Sequence, residues 1–99
     1  MNSDNQAYLA VISLDFLIPE SQSLKTKRKV IKSIVDRIRA KYNASISEIG
    51  YQEKWQRALI GISMISSNRQ FIEKNYASIE LLLREYAEIS IVNLQLEWL

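Results

Sequence analysis

Residues 21–42 read SQSLKTKRKVIKSIVDRIRAKY, and the rest of the chain is arranged around them. Leu24, Ile31, Ile34, Val35, Ile38 and Tyr42 recur at helical steps, which predicts one amphipathic helix lying on a core. Lys25, Lys29, Lys32, Asp36 and Arg39 fall on the opposite side. Ser21 or Ser23 is placed to cap the start, because a serine oxygen accepts a free amide of the first turn. Pro19, just upstream, stops the preceding strand. The stretch holds Lys25, Lys27, Arg28, Lys29, Lys32, Arg37, Arg39 and Lys41 against the single acid Asp36. Eight cations against one acid leave about +7; the whole chain carries +2, so the remainder carries about −5. A merely soluble helix face mixes Glu with Lys, because pairs four apart help the helix slightly. This one barely does so, and its repulsion calls for an anionic partner.

Outward from that helix, residues 8–18 alternate as a strand. Tyr8, Ala10, Ile12, Leu14, Phe16 and Ile18 share the better core face, and Leu9, Val11, Ser13, Asp15 and Leu17 share the mixed one. Residues 44–49, ASISEI, form a weaker strand, and 50–54 a turn. Residues 55–66, WQRALIGISMIS, form the third strand. Asn68 caps a second helix to about Tyr86, with Ile72, Tyr76, Ile79, Leu83 and Tyr86 as its stripe. Its charges nearly cancel, so it serves as an internal control for the first helix. Residues 88–98 form the last strand, with Val92, Leu94, Leu96 and Trp98 on the core side. The order βαββαβ defines an α+β, ferredoxin-like sandwich: a four-stranded antiparallel sheet, strand order 4-1-3-2, with two helices on one face. Residues 1–6 read as a disordered lead and 7–99 as one domain.

The composition excludes several chemistries. With no Cys and no His there is no disulfide, no thiolate, no imidazole base and no thiolate or imidazole metal ligand. No apolar run reaches membrane-spanning length, and MNSDNQ lacks the pattern of a signal peptide, so the expected compartment is cytoplasmic. Gly50 and Gly61 are the only glycines, and no loop could cradle a phosphate as a Gly-rich turn does. Asp15 and Glu48 are the only strand acids near mid-sheet. On this topology strand three separates them, with Asp15 exposed on the open sheet face and Glu48 expected to pair with Arg57. The open faces of strands one and three carry no ring to stack a base, which disfavours recognition on the sheet. Phosphate contact from a helix needs only Lys, Arg and free amides.

The text SLKTKRKVIKSIVDRIRAKYNASISEIG followed by WQRALIGISMIS resembles the YlxP-like family of small bacterial proteins of unknown function. Ser23, Leu24, Lys25, Lys27, Arg28, Lys32, Ser33, Arg37, Arg39, Asn43, Ser45, Glu48, Trp55, Gln56, Arg57, Ala58 and Gly61 match its pattern. Thr26 departs from it, standing where the family usually has an acid that completes a capping box. The turn before Trp55 also departs, since it lacks the usual Asp-rich text. The resemblance implies a ferredoxin-like fold and, from gene neighbourhoods rich in translation and ribosome-assembly genes, an RNA or ribosomal context. It brings no catalytic residues.

These readings converge on a non-enzymatic RNA- or ribosome-associated accessory factor, with no cofactor, no metal and no catalytic residue. Its RNA- or anion-binding set is Ser21, Ser23, Lys25, Lys27, Arg28, Lys29, Lys32 and Arg39. Lys27 falls inside the apolar stripe, so the first turn is expected to project past the sheet and open Lys27 toward an anion at the helix N-terminus. Otherwise Lys27 snorkels and Arg28 pairs with Glu20 or another acid. Trp55, Gln56 and Arg57 form either a lid, with Arg57 anchoring Glu48, or a partner contact. The alternative function is a homodimeric interaction module. It would join through the open sheet face, Leu9, Val11, Leu17, Leu59, Ile65 and Ile91, with Ile49 and Tyr51 beside them.

Overall fold

The structure is a computed structural model that describes residues 5–99. Its elements are β1 (Tyr8–Leu17), α1 (Leu24–Lys41), β2 (Ser45–Gly50), β3 (Arg57–Ser66), α2 (Arg69–Leu83) and β4 (Ser90–Trp98). The strands form one antiparallel sheet in the order β2-β3-β1-β4, the ferredoxin-like arrangement. The expected lead over 1–6 falls largely on residues 1–4, outside the described residues.

Alternation in the two central strands fixes the core. The β1–β3 register sets Ala10, Ile12, Leu14 and Phe16 opposite Met64, Ile62, Ile60 and Ala58, and all eight are buried. Residues directly opposite share a face, so this row is one continuous apolar surface. Ile31, Ile34 and Ile38 of α1, its C-cap Tyr42, and Ile72, Ile79, Leu82 and Leu83 of α2 pack on it, joined by Tyr86. Leu24, Val35 and Tyr76 of the two expected stripes are only half-buried. Asn68 caps α2 by accepting from the amides of Gln70 and Phe71.

The other sheet face has no helix on it. Leu9, Leu17, Ile49 and Ile65 are exposed there, while Val11 and Leu59 are half-buried. Ile49 lies across Gly61, where a Cβ would come within 3.0 Å of its Cδ1 atom.

Strand β4 departs from simple alternation. Asn93 pairs with Asp15 but Ile91 pairs with Phe16, so Val92 is an extra residue in a β-bulge. The shift corrects two expectations. Val92 leaves the core row and is 50% exposed, and Ile91 stands opposite buried Phe16 and therefore leaves the open face. A consequence is measurable by urea unfolding. Val92→Lys should change stability by no more than about 0.5 kcal/mol, as for an exposed position, whereas Phe16→Ala should cost about 3–5 kcal/mol.

Candidate functional site

The first turn of α1 forms as the capping logic requires, but with Thr26 in place of an acid. Ser23 is the N-cap, accepting from the Thr26 amide at 3.1 Å and donating to the Thr26 hydroxyl at 3.1 Å. Ser21 is fully buried and its hydroxyl donates to the Ser23 carbonyl at 3.0 Å. Both serines of the expected anion set are thus engaged with the backbone and side chains of their own turn.

Lys27 overturns the expectation placed on it. It is 1% exposed, and its Nζ donates to the carbonyls of Tyr51 at 2.6 Å and Lys54 at 2.8 Å. The same ammonium lies 3.0 Å from Glu48 Oε2. The first turn of α1 does not project past the sheet, because the β2–β3 turn folds over it. Glu48 has the parity of Ile46, on the helix-covered side of β2, and so faces Lys27 rather than Arg57. Two carbonyls and one carboxylate compensate a charge that would cost several kcal/mol if buried alone. Lys27 therefore leaves the binding set and becomes the clamp of that turn.

The turn needs a clamp. Tyr51 adopts φ 58°, a left-handed conformation that non-glycine residues rarely take. Its carbonyl also accepts the Lys54 amide at 2.9 Å, and its ring lies under the Arg57 guanidinium at 4.3 Å. Arg57 in turn donates from Nε and Nη2 to the two Asp15 carboxylate oxygens at 3.1 and 2.8 Å. This hydrogen-bonded carboxylate raises the Arg57 pKa above its ordinary value, against the lowering effect of desolvation. The expected Arg57–Glu48 pair is thus replaced by two pairs, Arg57–Asp15 on the open face and Lys27–Glu48 under α1. Asp15 is correspondingly screened rather than free.

Gln56 is similarly used within the fold: its side-chain amide donates to the carbonyls of Pro19 and Ser21, and its own carbonyl accepts the Ile18 amide. Trp55 is presented outward, at 54% exposed; Gln56 is exposed beside it and Arg57 is half-buried. Trp55 borders an open depression of about 460 Å³ with Leu17, Gln22 and Lys54.

The remaining cations of α1 divide in two. Lys32 pairs with Asp36 at 2.7 Å, Arg37 with Glu85 at 2.7 Å, Arg39 donates to the Ile46 carbonyl at 3.3 Å, and Lys41 donates to Ser78 at 3.2 Å. The Glu85 hydrogen bond, with help from Tyr86, raises the Arg37 pKa. Lys25, Arg28 and Lys29 are exposed and have no hydrogen-bond or ion-pair partner among the described residues; Arg28 does not meet Glu20. Helix α2 balances its charges within itself through Arg69–Glu73 and Arg84–Glu80.

Fold and surface define a class: a small ferredoxin-like α+β protein with a cationic first helix and a clamped β2–β3 turn. The family model for proteins of unknown function termed DUF503 matches residues 9–96, and the chain belongs to that family. The uncharacterized protein YlxP of Bacillus subtilis (strain 168) is 42% identical over 82 residues, covering 83% of this chain and 89% of that protein. Among the described residues no helix is long and apolar enough to cross a membrane.

The clamp yields a stability test. Lys27→Met strands Glu48 and two turn carbonyls, and should lower stability by about 3–5 kcal/mol in urea. Lys25→Met, at an exposed position, should change it by less than about 0.5 kcal/mol. Equal effects of the two substitutions would show that the clamp contributes nothing.

Proposed function

We propose that this protein is a non-enzymatic, cytoplasmic RNA- or ribosome-associated accessory factor that meets phosphates with the exposed face of α1. The observation that carries this reading is the trio Lys25, Arg28 and Lys29, exposed and without partners among the described residues. Lys32, one turn on from Arg28, extends the same face, although Asp36 shares its charge. Lys25 and Lys29, and Arg28 and Lys32, are like charges four apart, which destabilise a helix slightly. The first turn contains no acid, so its cations also oppose the helix dipole. An anion seated on this face relieves both costs. Ser21, Ser23 and Lys27 support the site by shaping the turn, and Arg39 is committed to Ile46.

Such a surface reads charge and backbone rather than sequence. With about four cations on single-stranded RNA phosphates, log K should fall with log salt at a slope near about −3. Fluorescence anisotropy with unrelated RNA oligomers should give similar affinities, and Lys25→Glu with Lys29→Glu should weaken them at least about tenfold. The melting temperature should hold, since both residues are exposed. A salt-independent affinity, or binding indifferent to the double reversal, would sink the reading.

A second reading, a homodimeric interaction module with no nucleic-acid role, draws support from the exposed Leu9, Leu17, Ile49 and Ile65 on the open face. Against it, that face also carries Asn93, Gln95 and Glu97, all exposed, and the Asp15–Arg57 pair.

A further inference from the structure

We infer that the outer edge of β4 is a docking edge for β4 of a second copy of this chain, joining two sheets antiparallel into one continuous sheet. The inference starts from the direction of the backbone groups. The Leu99 amide donates to the Leu9 carbonyl at 2.9 Å, which makes Leu9 and Leu99 a hydrogen-bonded pair. Antiparallel pairs alternate, so Glu97, Gln95 and Asn93 point their backbone groups at β1, and Trp98, Leu96 and Leu94 point theirs away from it. The Tyr76 hydroxyl donates to the Leu94 carbonyl at 3.0 Å, and that oxygen has a second lone pair to offer.

The opposite edge of the sheet is more heavily engaged by its own side chains. Arg39 donates to the Ile46 carbonyl of β2, and Gln52 and Ser47 donate to that of Glu48. A register shift at Gly50 further interrupts that short strand. Strand β4 carries few such devices. Its sequence SIVNLQLEW contains no Lys, Arg or Pro, and its single charge is Glu97. Its bulge lies at Val92, leaving Asn93–Trp98 regular. A regular, apolar edge of this kind attracts another strand.

The side chains favour a second copy as the occupant. Leu94, Leu96 and Trp98 lie on the helix-covered side but are only half-buried. Antiparallel pairing centred on Leu96 places Leu94 opposite the partner's Trp98 and Leu96 opposite the partner's Leu96. Every outward amide and carbonyl of the three residues then gains a partner, and the apolar row runs on across the junction. On the open face the same register sets Glu97 opposite the partner's Gln95, an acceptor facing an amide, so no two acids are directly opposed. The two-fold axis of such a pairing is perpendicular to the sheet, which keeps the helices of both copies on one side.

Sedimentation and cysteine cross-linking test this on the full chain, which has no cysteine of its own. The unmodified protein and Leu59→Glu, altered on the open face, should both sediment as dimers at about 100 µM, a concentration that detects even weak association. Leu96→Lys should sediment as a monomer with unchanged circular dichroism. Leu96→Cys should form a covalent dimer under mild oxidation, because residues in a hydrogen-bonded pair have Cα atoms about 5.5 Å apart, within disulfide reach. Leu59→Cys should not. The cross-link decides the matter if Leu96→Lys fails to fold. A monomeric unmodified protein, or a dimer abolished by Leu59→Glu and kept by Leu96→Lys, overturns the inference. RNA affinity is read separately, through Lys25 and Lys29, so either proposal can fail alone.

Discussion

One buried ammonium ties the start of α1 to the β2–β3 turn. Lys27 occupies a slot on α1 where the helix pattern asks for an apolar side chain, and it is accepted because β2 and the following turn supply a carboxylate and two carbonyls. The contact spans 24 residues to Tyr51 and 27 to Lys54, so it couples a helix start to a distant hairpin. A hydrophobic residue would fill the space but leave the turn carbonyls and Glu48 unpaired, which is why the charge has a structural use here. The capping serine, the Gln56 bridge to Pro19 and Ser21, and the left-handed Tyr51 all lie within this same end of the molecule.

The fold was legible from the sequence because periodicity and burial agree in five of the six elements. The core rows of β1 and β3 follow from alternation, and strand order and the shared helix side follow from the element order βαββαβ. The end of β4 did not follow, since a bulge leaves no mark in the pattern IVNLQL: Val92 continues the apolar alternation and only the pairing to Asp15 and Phe16 reveals the shift. At the site, the excess of cations on α1 was legible, but their pairing was not. The signal available was parity. Glu48 shares the face of Ile46, and Lys27 shares the stripe of Ile31 and Ile34, so two opposite charges were aimed at one interior. Glu48 and Arg57 lie on neighbouring strands but point to opposite faces, so adjacency of strands alone does not pair them.

The two helices place their charges differently. Helix α2 closes its ion pairs within one turn of itself and presents a nearly neutral face. In α1, Arg37 and Arg39 reach out to Glu85 and Ile46, tying the helix to its surroundings. What is left over, Lys25, Arg28 and Lys29, gathers at the end nearest the clamped turn, where exposed Lys54 and Trp55 also lie. The chain thus carries a concentrated cationic surface on a scaffold that is otherwise acidic in balance.

The β2–β3 turn bears on how the molecule can be engineered. Tight turns between antiparallel strands are ordinarily the first choice for inserting a tag or a fluorescent domain, or for opening new chain ends, because little depends on them. Here the carbonyls of Tyr51 and Lys54 are the coordination shell of an interior cation, and the Tyr51 backbone is held in a conformation it would not choose alone. Spreading those two residues apart would open a path for water to the centre of the α1–β2 contact. The permissive splice site of this fold therefore lies elsewhere, and the hairpin cannot be lifted out as a self-sufficient peptide.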